Sequence, residues 1–381
     1  DALNRLISFT DGLNNSTNYT YDNNNNLVTE KKPGGTTYTY VYDALNRKTQ
    51  TKVGATVLST STFDALGREI QSNDAENNAT KFQYDELGRL TKVTDAMNYQ
   101  TTYQYDSVGN LLKEIDANLG EVTYTYDNLN NQTSETNAIG KVWSYQYDKL
   151  GNLIKETDAK GQVNNRSYDN LNRLTAKVYV DANNVELPES VRYEYDAVGN
   201  LKRAYNATNN NFFGYDAGYN LRNAVDSTRN YNLTYTYDAN DKLSTIKYPD
   251  NKIQYNYWNN ADTITSMIIR YTGDSISSVS GNHTTLTTSF TYDKNGNLIR
   301  QTNPDSTVSV RTYNNLDQLT EIDNYKFNGV WNVKDYTISK FKYTLNANGD
   351  KLQTDYTTNC DKNNVCNNTT TYTAHDVYTY D

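Results

Sequence analysis

The chain has 381 residues and a formal charge of −9, with 36 Tyr, 4 Pro, 2 Cys, 2 His and 2 Met. Leu, Ile, Val and Phe together number 72, too few for an ordinary Leu-rich core, yet so modest a charge and so many aromatics do not describe a disordered chain either. No apolar run reaches the roughly 18 residues of a membrane span, and a pI near 4.9 argues against nucleic acid as the main partner.

From the N-terminus a dipeptide recurs. Tyr21-Asp22, Tyr42-Asp43, Phe63-Asp64, Tyr84-Asp85, Tyr105-Asp106, Tyr126-Asp127, Tyr147-Asp148 and Tyr168-Asp169 follow one another at a constant step of 21 residues. It continues with looser spacing at Tyr195-Asp196, Tyr215-Asp216, Tyr237-Asp238, Tyr292-Asp293 and Tyr380-Asp381, with degenerate copies at Tyr257-Trp258 and Tyr313-Asn314. Residues 1–381 therefore read as a single repeat array, regular over 1–194 and irregular over 195–381. Both ends cut through a repeat, so the expectation is a fragment of a longer protein.

Each unit carries two turn signals. Asp85-Glu-Leu-Gly88, Asp106-Ser-Val-Gly109 and Asp148-Lys-Leu-Gly151 place Asp first and Gly fourth, and so does Asp158-Ala-Lys-Gly161, while Asp95-Ala-Met-Asn98 has Asn fourth and Asn137-Ala-Ile-Gly140 has Asn first. An Asp carboxylate can accept the backbone N–H two residues on, and Gly or Asn accepts the left-handed conformation that ends a type I turn with a bulge. Such turns join hairpins. Between them lie segments of about six residues, a usual strand length. Tyr38, Tyr40 and Tyr42 share one face by alternation, as do Val122, Tyr124 and Tyr126, and Trp143, Tyr145 and Tyr147. The first strand of each unit shows no such clean alternation.

The expected fold is all-β: tandem hairpins in one long antiparallel sheet of about 36 strands, some 170 Å along the ladder. Open twisted sheets rarely exceed about ten strands without curling, so the sheet should coil into a hollow shell or solenoid-like wall. Cross-strand aromatic ladders are expected to hold it together.

The motif Tyr-Asp-x-Leu-Gly-Asn/Arg-Leu followed by Thr-Asp-Ala-x-Gly resembles the RHS or YD-repeat family, which includes bacterial Rhs polymorphic toxins, insecticidal toxin-complex B/C components, wall-associated proteins and teneurins. The resemblance covers nearly the whole chain. It implies a non-enzymatic, secreted or cell-surface shell whose partner is its own C-terminal toxin or cargo domain, or flanking repeats. The family's C-terminal core motif with its self-cleavage aspartates is absent, so no cleaving residue carries over. No cofactor is implied.

Insertions are expected near 258–291, 325–340 and 358–370 and read first as tolerated loop-length drift; in the adhesion reading, those at 258–291 and 325–340 would add recognition of glycans or a cell surface. Cys360 and Cys366 flank a polar turn and are a candidate disulfide. The Asn-rich turns Asp22–Asn26 and Asp293–Asn297 lack the acidic twelfth ligand of a calcium loop and read as plain turns. His283 stands without a nucleophile motif beside it, and the carboxylates are explained by turns, so no catalytic or metal-binding residue is assigned. Two alternative readings remain: an adhesion or glycan-binding module, and an extracellular fibre assembled through exposed edge strands.

Overall fold

The structure is a computed structural model that describes residues 1–181, 183–250, 252–271, 285–327, 334–358 and 372–378. Among these residues there are 32 strands and no helix, and the strands belong to one antiparallel sheet. The number falls below the 36 expected from an even pitch because later strands lengthen. Leu319–Phe327 has 9 residues and Lys334–Leu345 has 12, where Leu111–Ile115 has 5.

The chain divides into two compact units, one of residues Asp1–Lys81 with Ile253–Asp381, the other of Phe82–Lys252. Within the second unit the repeat is plainest. Strands β10 (Gln100–Tyr105), β11 (Leu111–Ile115), β12 (Glu121–Tyr126) and β13 (Gln132–Thr136) pair each with the next. Turns that follow a Tyr-Asp dipeptide lie on one edge of the ladder, and the intervening turns lie on the other. We call these the Tyr-Asp edge and the distal edge.

The Tyr-Asp hairpins share an irregularity. Gln104 pairs with Lys113 but Tyr105 pairs with Leu111, so Leu112 is an extra residue. The identical shift occurs at Tyr21–Leu27, Tyr126–Gln132, Tyr147–Leu153 and Tyr168–Leu174. A bulge bends its strand and strengthens the local twist. A bulge recurring at this place from unit to unit therefore adds curvature of one sense along the ladder, with further bulges at Thr51/Lys52 and Asn324/Tyr325. Pairing between β11 and β12 extends only from Lys113–Thr123 to Ile115–Glu121, at the distal end.

Among the described residues no helix covers a face of the sheet. Val180 and Val308 are the only buried hydrophobic residues among those described. The chain exposes 23981 Å², where a compact protein of 43.4 kDa would expose roughly 15,000 Å². In strand β14 (Val142–Tyr147), Trp143, Tyr145 and Tyr147 are half-buried while Val142, Ser144 and Gln146 are exposed. Stability in such a ladder resides in strand-to-neighbour contacts, each cross-strand pair contributing about 0.2–1 kcal/mol.

Phe341 and Tyr356 stack across paired strands at 5.7 Å, as an aromatic ladder would, but the regular repeats follow another pattern. Tyr103, Tyr124 and Tyr145 instead face Glu114, Glu135 and Glu156 across the strands. Burial raises the Tyr124 hydroxyl pKa, and the carboxylates of Glu135 and Glu114 raise it further. The period of 21 explains this. Through the regular repeats a Tyr-bearing strand lies between two strands of the other type, which separates its rings from those of like strands.

Candidate functional site

The repeated feature of the molecule is the Tyr-Asp turn. In the turn after Tyr42, Asp43 Oδ1 accepts the N–H groups of Leu45 and Arg47 at 2.9 and 3.0 Å. Asp22, Asp64, Asp85, Asp106, Asp127, Asp148 and Asp169 make the same pair of contacts to the third and fifth residues of their own turns. These donors hold the carboxyls below the usual Asp range. For Asp43 the first cause is the Arg47 side chain, for Asp127 the Asn131 side chain, and for Asp169 the Arg173 backbone N–H. The fourth residue is left-handed, Gly88 at φ +82°, Gly109 at +104° and Gly151 at +84°, or Asn46 at +62° and Asn130 at +64°. Asp22–Asn26 and Asp293–Asn297 are turns of this same kind.

The tyrosine joins one unit to the one before. Tyr126 Oη donates to the Leu111 carbonyl at 2.9 Å, at the bulge where the β11–β12 ladder has opened. Tyr21, Tyr42, Tyr105 and Tyr168 donate likewise to Leu6, Leu27, Leu90 and Leu153 at 2.8–3.0 Å. Burial raises the hydroxyl pKa of Tyr42, Tyr105, Tyr126 and Tyr147. Phe63 occupies the position without a hydroxyl, and Tyr84 occupies it at the end of strand Ala79–Tyr84.

The fifth turn residue, not singled out in the sequence, joins each unit to the one after. Arg47 binds Asp43 Oδ2 at 2.6 Å, donates to the Asp64 carbonyl at 2.9 Å, and lies 4.8 Å from the Phe63 ring. Arg89 does the same with Asp85, the Asp106 carbonyl and the Tyr105 ring. Where the fifth residue is Asn, a different partner appears. Asn26 donates to Asn46 Oδ1 at 2.8 Å, Asn110 to Asn130 Oδ1 at 3.0 Å and Asn297 to Asp317 Oδ1 at 2.7 Å. The partner is the left-handed fourth residue of the next turn. A partial sequence signal for this existed: Gly67 and Gly109 follow the Arg47 and Arg89 units, and Asn46, Asn130 and Asp317 follow the Asn26, Asn110 and Asn297 units, whereas Asn25 follows Arg5 and Gly151 follows Asn131. Arg is long enough to reach a backbone carbonyl, and Asn needs a side chain to meet it.

Within the first unit, distal turns of the early repeats meet Tyr-Asp-type turns of the late ones. Asn295 Oδ1 accepts the Gly34 N–H at 2.7 Å, and Thr36 Oγ1 donates to the Asn315 carbonyl at 2.6 Å. Asn348 Oδ1 accepts the Ala75 N–H at 2.9 Å while Asn348 Nδ2 donates to Asp74 Oδ2 at 2.6 Å. A Cβ at position 12 would collide with the Asn260 carbonyl oxygen, so Gly12 permits the close approach of these two turns. Nothing in the sequence linked residues this far apart. A hollow of about 670 Å³ beside these contacts is lined by Gly34, Thr36, Asn295, Arg311, Tyr313 and Asp317, with no nucleophile and base paired in it.

Asp74, Asp95, Asp116 and Asp158, at the distal turns, likewise accept two backbone N–H groups each, which uses their carboxylates locally. Among the described residues no group of three or more His, Cys, Asp or Glu is placed to hold a metal, and no helix is long and apolar enough to cross a membrane. The candidate disulfide Cys360–Cys366, His283, Tyr380-Asp381, and the insertion tips at 272–284, 328–333 and 359–371 lie outside the described residues.

Two family models match the chain, the teneurin YD-shell over residues 1–120 and the RHS repeat over 105–138, 126–163 and 292–324. No curated protein sequence matches it. Among solved structures, the TcdB2-TccC3-TEV crystal structure superimposes with a TM-score of 0.64 at 14% identity, covering 89% of this chain and 22% of that one. The Photorhabdus luminescens Tc holotoxin pore gives 0.54 at 14% identity, covering 91% and 24%. TcdB2-TccC3-Cdc42 gives 0.52 at 13% identity, covering 96% and 24%. The shared property is the fold, and the chain spans less than a quarter of those chains.

Proposed function

Because the chain belongs to the RHS/YD-repeat family, we propose that it is a non-enzymatic wall segment of a larger secreted or surface protein, and that this wall encloses a toxin or other cargo polypeptide C-terminal to it. In this reading residues 1–381 are one array continued by further repeats. The observation that carries it is the single-layer sheet with only Val180 and Val308 buried among described hydrophobics. A layer with two wet faces has no reason to exist as a compact domain; it suits a partition between two spaces. Its ladder hydrogen bonds and local turn contacts do not depend on the cargo's sequence, so the wall accepts different contents. A net charge of −9 favours solubility of so large a sheet.

Limited proteolysis of the natural full-length protein tests this. The segment downstream of the repeats should survive protease in the intact protein and be degraded when expressed alone. Equal cleavage rates in the two contexts would refute enclosure.

A further inference from the structure

We propose that the Tyr-Asp edge of the second unit is a docking surface for the distal edge of another copy of this chain, so that copies stack edge to edge, head to tail. This interface is separate from any cargo held against a sheet face.

The first observation is a row of exposed apolar residues. The third turn residue on this edge is Leu87, Val108, Leu129, Leu150, Leu171 and then Val198, each 64–74% exposed. An isolated exposed Leu means nothing, but a row repeated over six successive turns of one edge, ending where Gly218 and Asn240 take the position, is the kind of apolar surface that marks an interaction site. The turn does not require it. Asp and the left-handed fourth residue supply the turn's geometry, and the third side chain makes no contact that closes it.

The second observation is that the molecule already uses this edge once. In the first unit, the Tyr-Asp-type turns at Asn295, Asn315 and Asn348 sit on distal turns at Gly34, Thr36 and Ala75. There Leu316, at the turn position of Leu129, is half-buried and lines a hollow with Tyr38, Leu58 and Ala75. The edge thus has an observed partner, the distal turn of a like ladder.

The third observation is complementarity. The second unit's distal turns present Ala96, Ala117, Ala138 and Ala159 at the position of Ala75, with Met97, Leu119 and Ile139 exposed beside them. Both edges repeat every 21 residues, so one docked turn brings the next into register. Two different patches of one chain that fit each other make a heterologous contact, which propagates unless rotation closes it. A strand-edge fibre would instead need the terminal strands, and the leucine row would be idle.

Sedimentation velocity of the full 381-residue chain across its soluble concentration range provides the test. Species larger than monomer are expected to grow with concentration. Leu129→Asp with Leu150→Asp should weaken that association about tenfold or more, while leaving the circular dichroism spectrum and melting temperature unchanged. Gln104→Asp with Gln146→Asp adds the same charge on the exposed sheet face and should leave association within about twofold. A concentration-independent wild-type monomer overturns the proposal. So does association that survives the leucine variants, which would place it at the terminal strands, or that falls equally in the glutamine variants, which would make it a matter of net charge.

Discussion

The hydroxyl of Tyr126 donates to the carbonyl of Leu111 at 2.9 Å, across the gap where the β11–β12 ladder has stopped pairing. The repeat's signature tyrosine thus closes a hole that the repeat's own bulge opens. Bulge and tyrosine recur together because an unpaired backbone carbonyl in a half-buried place needs a donor.

Tyr126→Phe is expected to destabilise by about 1 kcal/mol, the net worth of one hydrogen bond. In a ladder of neighbour contacts the effect should be local. Hydrogen exchange is expected to speed up around Leu111–Lys113 and not in units several strands away. Uniform acceleration through the second unit would contradict this account.

The two ways of joining units should be interchangeable only as a pair. Arg47→Asn removes the contacts to the Asp64 carbonyl and the Phe63 ring and should cost about 1–2 kcal/mol. Adding Gly67→Asn recreates the Asn26–Asn46 arrangement and should recover part of that loss. Gly67 at φ +85° has open space around the position of a Cβ, so the second change is tolerated. A double-mutant cycle in urea measures the coupling, and additivity of the two changes would refute the pairing.

Leu119 sits at φ +64° and is 83% exposed. A leucine side chain in the left-handed region costs about 1–2 kcal/mol and here covers nothing. Leu119→Asn should therefore raise stability by about 1 kcal/mol, read as an increase in the denaturation midpoint. The variant also removes one apolar group from the distal edge, so the measurement belongs at low protein concentration.

Asn348 joins the early and late repeats of the first unit. Asn348→Ala removes two hydrogen bonds and should cost about 1–2 kcal/mol. Asn348→Asp keeps the acceptor for Ala75 but sets a carboxylate against Asp74, so its loss should be larger and should shrink as salt is raised. Exchange of the Ala75 amide is the readout.

Acid and alkali should act on different parts of the turn. The Asp carboxyls of the Tyr-Asp turns lie below their ordinary value of 3.8 in the folded chain. A lowered folded-state value gives stability that is present above about pH 4 and is lost as pH falls through the folded-state values. The hydroxyls of Tyr42, Tyr105 and Tyr126 are raised above 10.0 by burial. Their contribution is complete below about pH 10 and is lost as pH rises beyond it. A melting temperature that is flat between these limits and falls outside both is expected. Loss confined to neutral pH would point to another group.

Sequence alone determined whatever repeats. A constant 21-residue step, Asp at the head of each turn and Gly or Asn at its fourth place specify local hairpins, because those contacts form between residues at most five apart. Strand alternation was legible for the same reason: Trp143, Tyr145 and Tyr147 share a face by period alone. The pairing of Asn26 with Asn46, Asn110 with Asn130 and Asn297 with Asp317 was present in the residues but meaningless until neighbouring turns were known to touch. Tertiary structure alone decided the rest. That Tyr faces Glu across the strands depends on bulge register, and that Asn348 meets Asp74 depends on how curvature from many bulges sums over 274 residues. A small bend per unit leaves no mark on any one unit's sequence, yet its accumulation determines which distant turns meet.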